Sequence, residues 1–123
     1  MIQNLNILLV DDTKTNRIIG KKILEKLDAN VMLAESGEEA IEVCRNNRFN
    51  LIFMDIEMPG LNGFETAHIL REEKISYAPI VAVSGHDSEK MKEACHNAQM
   101  TGYLTKPLKL ETIQKVIDRL FRT

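Results

Sequence analysis

Residues 50–60 read NLIFMDIEMPG: four apolar side chains, Leu51 to Met54, then an abrupt carboxylate at Asp55 and a turn-forming Pro59–Gly60. A run this short, with no polar alternation, fits a strand covered on both faces, as in a parallel sheet with helices above and below it. Pro79–Val83 has the same continuous apolar or small character. Working outward, Ile7–Val10, Val31–Leu33 and Tyr103–Thr105 supply three further strands.

Stretches of helical period separate these strands. Ile19, Ile23 and Leu27 recur at every fourth position, widened by Ile18 and Leu24 and weakened by Gly20. Ala40, Ile41 and Cys44 mark a second helix, with Ser36 and Glu39 at capping-box spacing. Phe64, Ala67 and Leu70 predict a third, and Met91, Ala94, Cys95 and Ala98 a fourth with Ser88 as its N-cap. Leu110, Ile113, Val116, Ile117 and Leu120 form the apolar face of the last. Strand-then-helix steps of this kind, without repeats, predict an α/β fold: a five-stranded parallel sheet, doubly wound, with helices on both faces.

The 123 residues fit one domain, 44% hydrophobic and 28% charged, which is apolar enough to bury a core. A net charge of −2 gives no electrostatic case for a nucleic-acid or membrane surface. The two cysteines, Cys44 and Cys95, are expected to be buried free thiols, and with no transmembrane or signal-peptide pattern a cytoplasmic domain is expected.

In an open parallel sheet, ligands bind beyond the carboxyl ends of the strands, where strand order reverses. The residues standing at those ends are Asp11 and Asp12, then Asp55, Ser84 and Lys106, with Glu35 and Ser36 after the second strand. Singly, each has an ordinary role as a cap or a surface group. Together they form a repelling carboxylate cluster, which a hard divalent cation with oxygen ligands relieves, as Mg²⁺ prefers. A lysine and a hydroxyl beside it add the means to hold a phosphoryl group.

These segments resemble the response-regulator receiver domain over essentially the whole chain. The resemblance is carried by LLVDD with Asp11–Asp12, LIFMDIEMPGLNG with Asp55, IVAVSG with Ser84, and YLTKP with Lys106–Pro107. It implies the strand order 2-1-3-4-5, the order known for this family and for flavodoxins; residue spacing alone leaves the order open. It implies that residues 1–123 form one receiver domain in which Asp55 takes a phosphoryl group from a phosphohistidine. Direct Mg²⁺ ligands would be Asp12, Asp55 and the Glu57 carbonyl, with Asp11 acting through water. Lys106, Ser84 and the N–H groups of Ile56 and Gly85 would cradle the phosphoryl, and Ser84 and Tyr103 would act as the switch. Pro59, Gly60 and Gly63 would shape the loop after Asp55, and Lys106–Pro107 is a candidate cis bond. Partners would be a histidine kinase or a histidine-phosphotransfer protein, docking near Thr15, Asn16, Ile18, Pro107 and Leu108. The domain would catalyse its own aspartyl phosphorylation and dephosphorylation.

Two positions depart from the family pattern: Gln99 stands where glycine usually ends the fourth helix, and Gly85 where alanine is common. Gln99 is expected to reshape its loop, and Gly85 to leave the phosphoryl more accessible. A flavin-binding module is a rival that Asp11 and Asp12 disfavour by repelling its phosphate, and there is no tryptophan to sandwich the ring. An aspartate-phosphatase fold would need an acid two residues after its nucleophile, where Asp11 has Thr13. A degenerate receiver is disfavoured by the complete acidic, hydroxyl and lysine set. The chain is read as a free-standing regulator, a phosphorelay intermediate or the receiver of a hybrid sensor kinase.

Overall fold

A computed structural model describes residues 4–121. Its elements run β1 (Asn6–Val10), α1 (Lys14–Lys26), β2 (Asn30–Ala34), α2 (Gly37–Asn46), β3 (Leu51–Asp55), α3 (Gly63–Glu72), β4 (Ile80–Ser84), α4 (Glu89–Asn97), β5 (Gly102–Thr105) and α5 (Leu110–Phe121). The strands form one sheet in the order β2-β1-β3-β4-β5, and each neighbouring pair is parallel. The doubly wound sheet and its strand order are as expected.

Side-chain alternation divides the core in two. Leu8, Val10, Ile52, Met54, Ile80 and Ala82 point to the side covered by α2, α3 and α4, where Ala40, Cys44, Ala67, Leu70 and Cys95 meet them. Ile7, Leu9, Leu51, Phe53, Val81 and Val83 point to the other side, against Leu24 of α1 and Ile113, Val116 and Ile117 of α5. Covering both faces explains why β3 and β4 are buried at every position. Cys44 and Cys95 are buried and unpaired, and burial pushes the Cys44 thiol up to about 11.

The fourth strand is displaced by one residue from its sequence-based limits. Pro79 has no N–H to give the ladder, so it stands just outside; its carbonyl still accepts from Ile52 N–H at 2.9 Å. The strand therefore runs on to Ser84, as β3 runs on to Asp55, and both chemistry-bearing residues are held within the sheet.

The face of α1 also differs from expectation. Ile19 is 45% exposed and Ile18 44%, whereas Gly20 and Leu24 are buried, with Ile23 and Leu27 partly so. The cause is Gly20: a Cβ there would lie 2.5 Å from Leu9 Cδ2, so the missing side chain lets the helix rest directly on β1. The contact line then passes through Gly20 and Leu24, which turns Ile19 outward. At the start of α5, Leu110 is likewise 44% exposed and does not belong to the buried face.

Capping follows the sequence closely. Ser36 Oγ accepts from Glu39 N–H at 3.0 Å, and Ser88 Oγ accepts from Met91 N–H at 3.1 Å. Glu39 reaches the N–H of Glu35, one residue beyond the expected partner. A complete capping box instead opens α3, where Asn62 and Glu65 each accept the other's backbone N–H at 2.9 Å.

The loop after α4 keeps a left-handed turn in spite of Gln99, which sits at φ +64°. Gln99 N–H donates to the His96 carbonyl and Met100 N–H to the Cys95 carbonyl, both at 3.0 Å, closing the helix end. Glycine adopts this backbone without steric cost, whereas an L side chain pays roughly 1–2 kcal/mol. Gln99→Gly is therefore expected to stabilise the fold by about 1 kcal/mol in urea unfolding, after allowance for the freer unfolded chain. A destabilised variant would show that the Gln99 side chain contributes more than its backbone costs.

Candidate active site

β1 lies between β2 and β3, so the chain direction across the sheet reverses beside β1, and the carboxyl ends of β1 and β3 flank that point. Asp55, the last residue of β3, is 0% exposed, and Asp11, just after β1, is 4% exposed. Asp12 is exposed. One carboxylate oxygen from each of the three lies within 4.8 Å of the others. Three hard oxygen donors at this spacing are a set that a divalent cation such as Mg²⁺ accepts.

Lys106 reaches this cluster from the end of β5, its N–H donating to the Ser84 carbonyl at 2.7 Å. Its Nζ is 3.0 Å from Asp55 Oδ2 and 3.5 Å from Asp11 Oδ2. The Lys106–Pro107 bond is cis, as expected. Burial opposes the lysine charge, but Asp55 and Asp11 outweigh it and hold the ammonium above its usual pKa. For Asp55 burial dominates: desolvation pushes its carboxyl up to about 6, Asp11 adds to the rise, and Lys106 and the Glu57 N–H counter it.

The Asp55 and Asp11 carboxylates are also fixed by backbone. Asp55 Oδ1 accepts from Glu57 N–H at 3.1 Å, and Asp11 Oδ1 accepts from Thr13 N–H at 2.9 Å. Arg17 Nη1 donates to the Asp11 carbonyl at 2.8 Å while its Nη2 lies 3.5 Å from Glu35 Oε2. Gly63 matters here for its close approach. It opens α3 against the end of β3, and a Cβ would come 2.5 Å from the Asp55 carbonyl oxygen.

Two expectations need amendment. The Ile56 N–H donates to the Val83 carbonyl at 3.0 Å, so it belongs to the β3–β4 ladder and cannot serve a phosphoryl oxygen. The next amide, that of Glu57, is the one turned to the site. Leu108 is partly buried against the core cluster under α1 and α5, so only part of its side chain faces the approach to the site. Ser84 is fully buried, and its Oγ donates to Glu57 Oε1 at 3.2 Å and accepts from His86 N–H at 3.1 Å.

The Glu57 and His86 side chains were not singled out from the sequence. Glu57 Oε1 also accepts from Gly85 N–H at 3.4 Å, and Glu57 Oε2 is 2.9 Å from His86 Nε2. Slight desolvation works against the Glu57 carboxylate, yet Gly85 N–H, His86 and Ser84 together hold its pKa below the usual value. Tyr103, partly buried against the α4 side, donates its hydroxyl to the His86 carbonyl. The available signal was positional: Glu57 follows Asp55 by two residues and His86 follows Ser84 by two, just past the ends of the paired strands β3 and β4.

The site is a rim and not a deep hole. A cavity of about 770 Å³ lies at the opposite ends of the strands, lined by Cys44–Asn50 and Lys74–Pro79 and apart from the Asp11–Asp12–Asp55 cluster.

Comparison with known proteins agrees with the geometry. Residues 7–118 match the response regulator receiver domain. The chain belongs to that family. This receiver is 39% identical over 117 residues to hybrid signal transduction histidine kinase E of Dictyostelium discoideum, covering 91% of this chain but 7% of the relative. It is 35% identical to Protein PilH of Pseudomonas aeruginosa, with 91% of this chain and 93% of PilH covered. Among solved structures it is similar to the receiver of a Saccharomyces cerevisiae response regulator co-crystallised with a histidine phosphotransfer protein. That likeness has a TM-score of 0.90 at 28% identity, over 98% of this chain and 90% of that one. It also resembles the receiver of a Pseudomonas aeruginosa sensor histidine kinase with a magnesium ion coordinated in its active-site cleft. There the TM-score is 0.87 at 29% identity, over 98% and 99% of the two chains. The receiver spans 7–13% of the length of the sensor-kinase relatives it matches first.

Proposed function

We propose that Asp55 is the phosphoacceptor of this receiver, taking a phosphoryl group from the phosphohistidine of a histidine kinase or a histidine-phosphotransfer protein. The observation that carries this is the buried Asp55 carboxylate, 3.0 Å from Lys106 Nζ, sharing a rim with oxygens of Asp11 and Asp12 within 4.8 Å. In the transfer an Asp55 oxygen attacks phosphorus as the P–N bond breaks. The imidazole leaves and regains its proton from solvent, and an acyl phosphate remains on Asp55. The chain thereby acts on itself, and its loss of the phosphoryl to water would use the same site.

Asp12, Asp55 and the Glu57 carbonyl would hold Mg²⁺, with Asp11 acting through water. Mg²⁺, when bound, would offset charge on the phosphoryl oxygens. Lys106 holds the acceptor in place and is near enough to follow it as a counter-ion for the product. Ser84 would turn to the phosphoryl group and Tyr103 would repack, a change that needs only a few kcal/mol between two arrangements. We read residues 1–123 as one such domain, acting in the cytoplasm. No helix among the described residues is long and apolar enough to cross a membrane.

The test is incubation with Mg²⁺ and a small phosphoramidate donor, followed by intact-mass measurement. One phosphoryl group per chain, lost with hydroxylamine and absent after chelation of the metal, is the expected result. A metal-independent or hydroxylamine-stable adduct would refute it.

A phosphohistidine must approach Asp55 along the rim, past Thr15, Asn16 and Ile18 on one side and Pro107 on the other. Ile18 and Ile19, at 44% and 45% exposure, give α1 an apolar patch beside that approach. A transient partner would cover under ~1,200 Å² in total. Ile18→Glu is therefore expected to slow phosphotransfer from a phosphohistidine protein about tenfold while leaving phosphoramidate labelling unchanged. Equal loss in both assays would mean damaged packing, and no loss in either would move the docking surface elsewhere.

A further inference from the structure

The polar groups that would hold a phosphoryl oxygen at the end of β4 already hold an anion. The single hydroxyl hydrogen of Ser84 is given to Glu57 Oε1 at 3.2 Å, and Gly85 N–H points to the same oxygen at 3.4 Å. The second Glu57 oxygen is 2.9 Å from His86 Nε2, which anchors the carboxylate from the other side. The nearest atom that a Cβ on Gly85 would meet is again Glu57 Oε1, at 3.9 Å. Asp55 and Asp11 do not take part, since their oxygens are bound by Lys106 and by the N–H groups of Glu57 and Thr13. Glu57 is thus a charged side chain reaching across from the acceptor loop to the neighbouring strand end.

We propose that the Glu57 carboxylate is an internal competitor for the anion seat formed by Ser84 Oγ and Gly85 N–H, and that a phosphoryl group on Asp55 must displace it. The inference rests on the reading of Asp55 as phosphoacceptor. Two anions cannot share one hydroxyl hydrogen, so the seat serves either Glu57 or the phosphoryl oxygen. The fraction of molecules with Glu57 disengaged then scales the apparent affinity for the incoming group. Displacement also has a route outward. His86 loses its Glu57 contact, and His86 is the residue whose N–H meets Ser84 Oγ and whose carbonyl accepts the Tyr103 hydroxyl. Removing the plug therefore acts on both residues assigned to the switch.

Reach and charge can be separated by substitution. Glu57→Asp keeps the negative charge but is one methylene too short for the seat, whereas Glu57→Ala removes both; the backbone carbonyl of residue 57 is present in each. At subsaturating phosphoramidate with Mg²⁺, both variants are expected to be labelled about fivefold faster than the wild type. In the metal-free, unphosphorylated protein, the Gly85 amide proton should move upfield in both variants as its charged acceptor withdraws. Faster labelling in Glu57→Ala with wild-type behaviour in Glu57→Asp would overturn the plug, because charge repulsion alone would explain it. An unmoved Gly85 amide in Glu57→Ala would overturn it independently of any labelling. Failure of the wild type and both variants to take a phosphoryl group would overturn the phosphoacceptor reading and the plug with it.

Discussion

Asp55→Asn is expected to stabilise the metal-free protein at pH 7 by about 2–3 kcal/mol while abolishing its capacity to accept a phosphoryl group. The acceptor carboxylate is fully buried, and burial lifts its pKa from 3.8 to about 6 despite Lys106 beside it. The folded state therefore binds this proton more tightly than the unfolded chain does. Stability from this group is fully present below pH 3.8 and is lost as pH rises to about 6. At neutral pH the folded chain carries a charge that its surroundings disfavour, and asparagine relieves it. Urea unfolding with a chelator at pH 5 and pH 7 checks this: the variant's advantage should grow with pH. Adding Mg²⁺ should stabilise the wild type and narrow the gap, since a ligand held only by the folded state raises its stability. A gap independent of pH would mean that the gain has another origin than the charge.

Lys106→Met, which keeps the apolar stem and removes the charge, should act in the opposite sense. Lys106 Nζ is the cation shared by Asp55 and Asp11, at 3.0 Å and 3.5 Å. Its folded pKa lies above the ordinary 10.5, so its stabilising effect is fully present at pH 7 and is lost only as pH rises beyond that value. Stripping one partner from a buried pair commonly costs about 3–5 kcal/mol. The lysine side chain is 24% exposed, so roughly 2–3 kcal/mol is expected here. The loss should shrink at pH 5, where Asp55 is protonated, and with Mg²⁺, which replaces the missing charge. Labelling by phosphoramidate should fall about 100-fold, the scale for removing one charge-stabilising donor. Equal destabilisation at both pH values, with labelling intact, would reduce Lys106 to a packing role.

The fold was legible because its two central strands carry no polar alternation, a pattern that only cover on both faces explains. The helix faces were less so. Apolar periodicity put Ile19 inward, but Gly20 has no hydropathy signal and decides how close α1 comes to β1. Strand ends were legible as chemistry: Asp11, Asp12, Asp55 and Lys106 converge as their positions imply. What a one-dimensional reading passes over is side-chain reach across strands. Glu57 was assigned for its carbonyl alone, yet its carboxylate crosses to Ser84, Gly85 and His86. The Ile56 amide is taken up by the β3–β4 ladder, which sequence does not reveal, because it does not say which of two successive N–H groups the ladder consumes. Gln99 shows the converse, where the tertiary turn overrides the residue's own preference.

Everything proposed for the site depends on Asp55 being the acceptor in a rim built by Asp11, Asp12 and Lys106. Borohydride reduction of the phosphorylated protein converts an aspartyl phosphate to homoserine, which peptide mass spectrometry locates. Homoserine is expected at position 55 alone, formed in Mg²⁺ and missing from Asp55→Asn. Homoserine at position 11 or 12, or labelling that survives in Asp55→Asn, would contradict it.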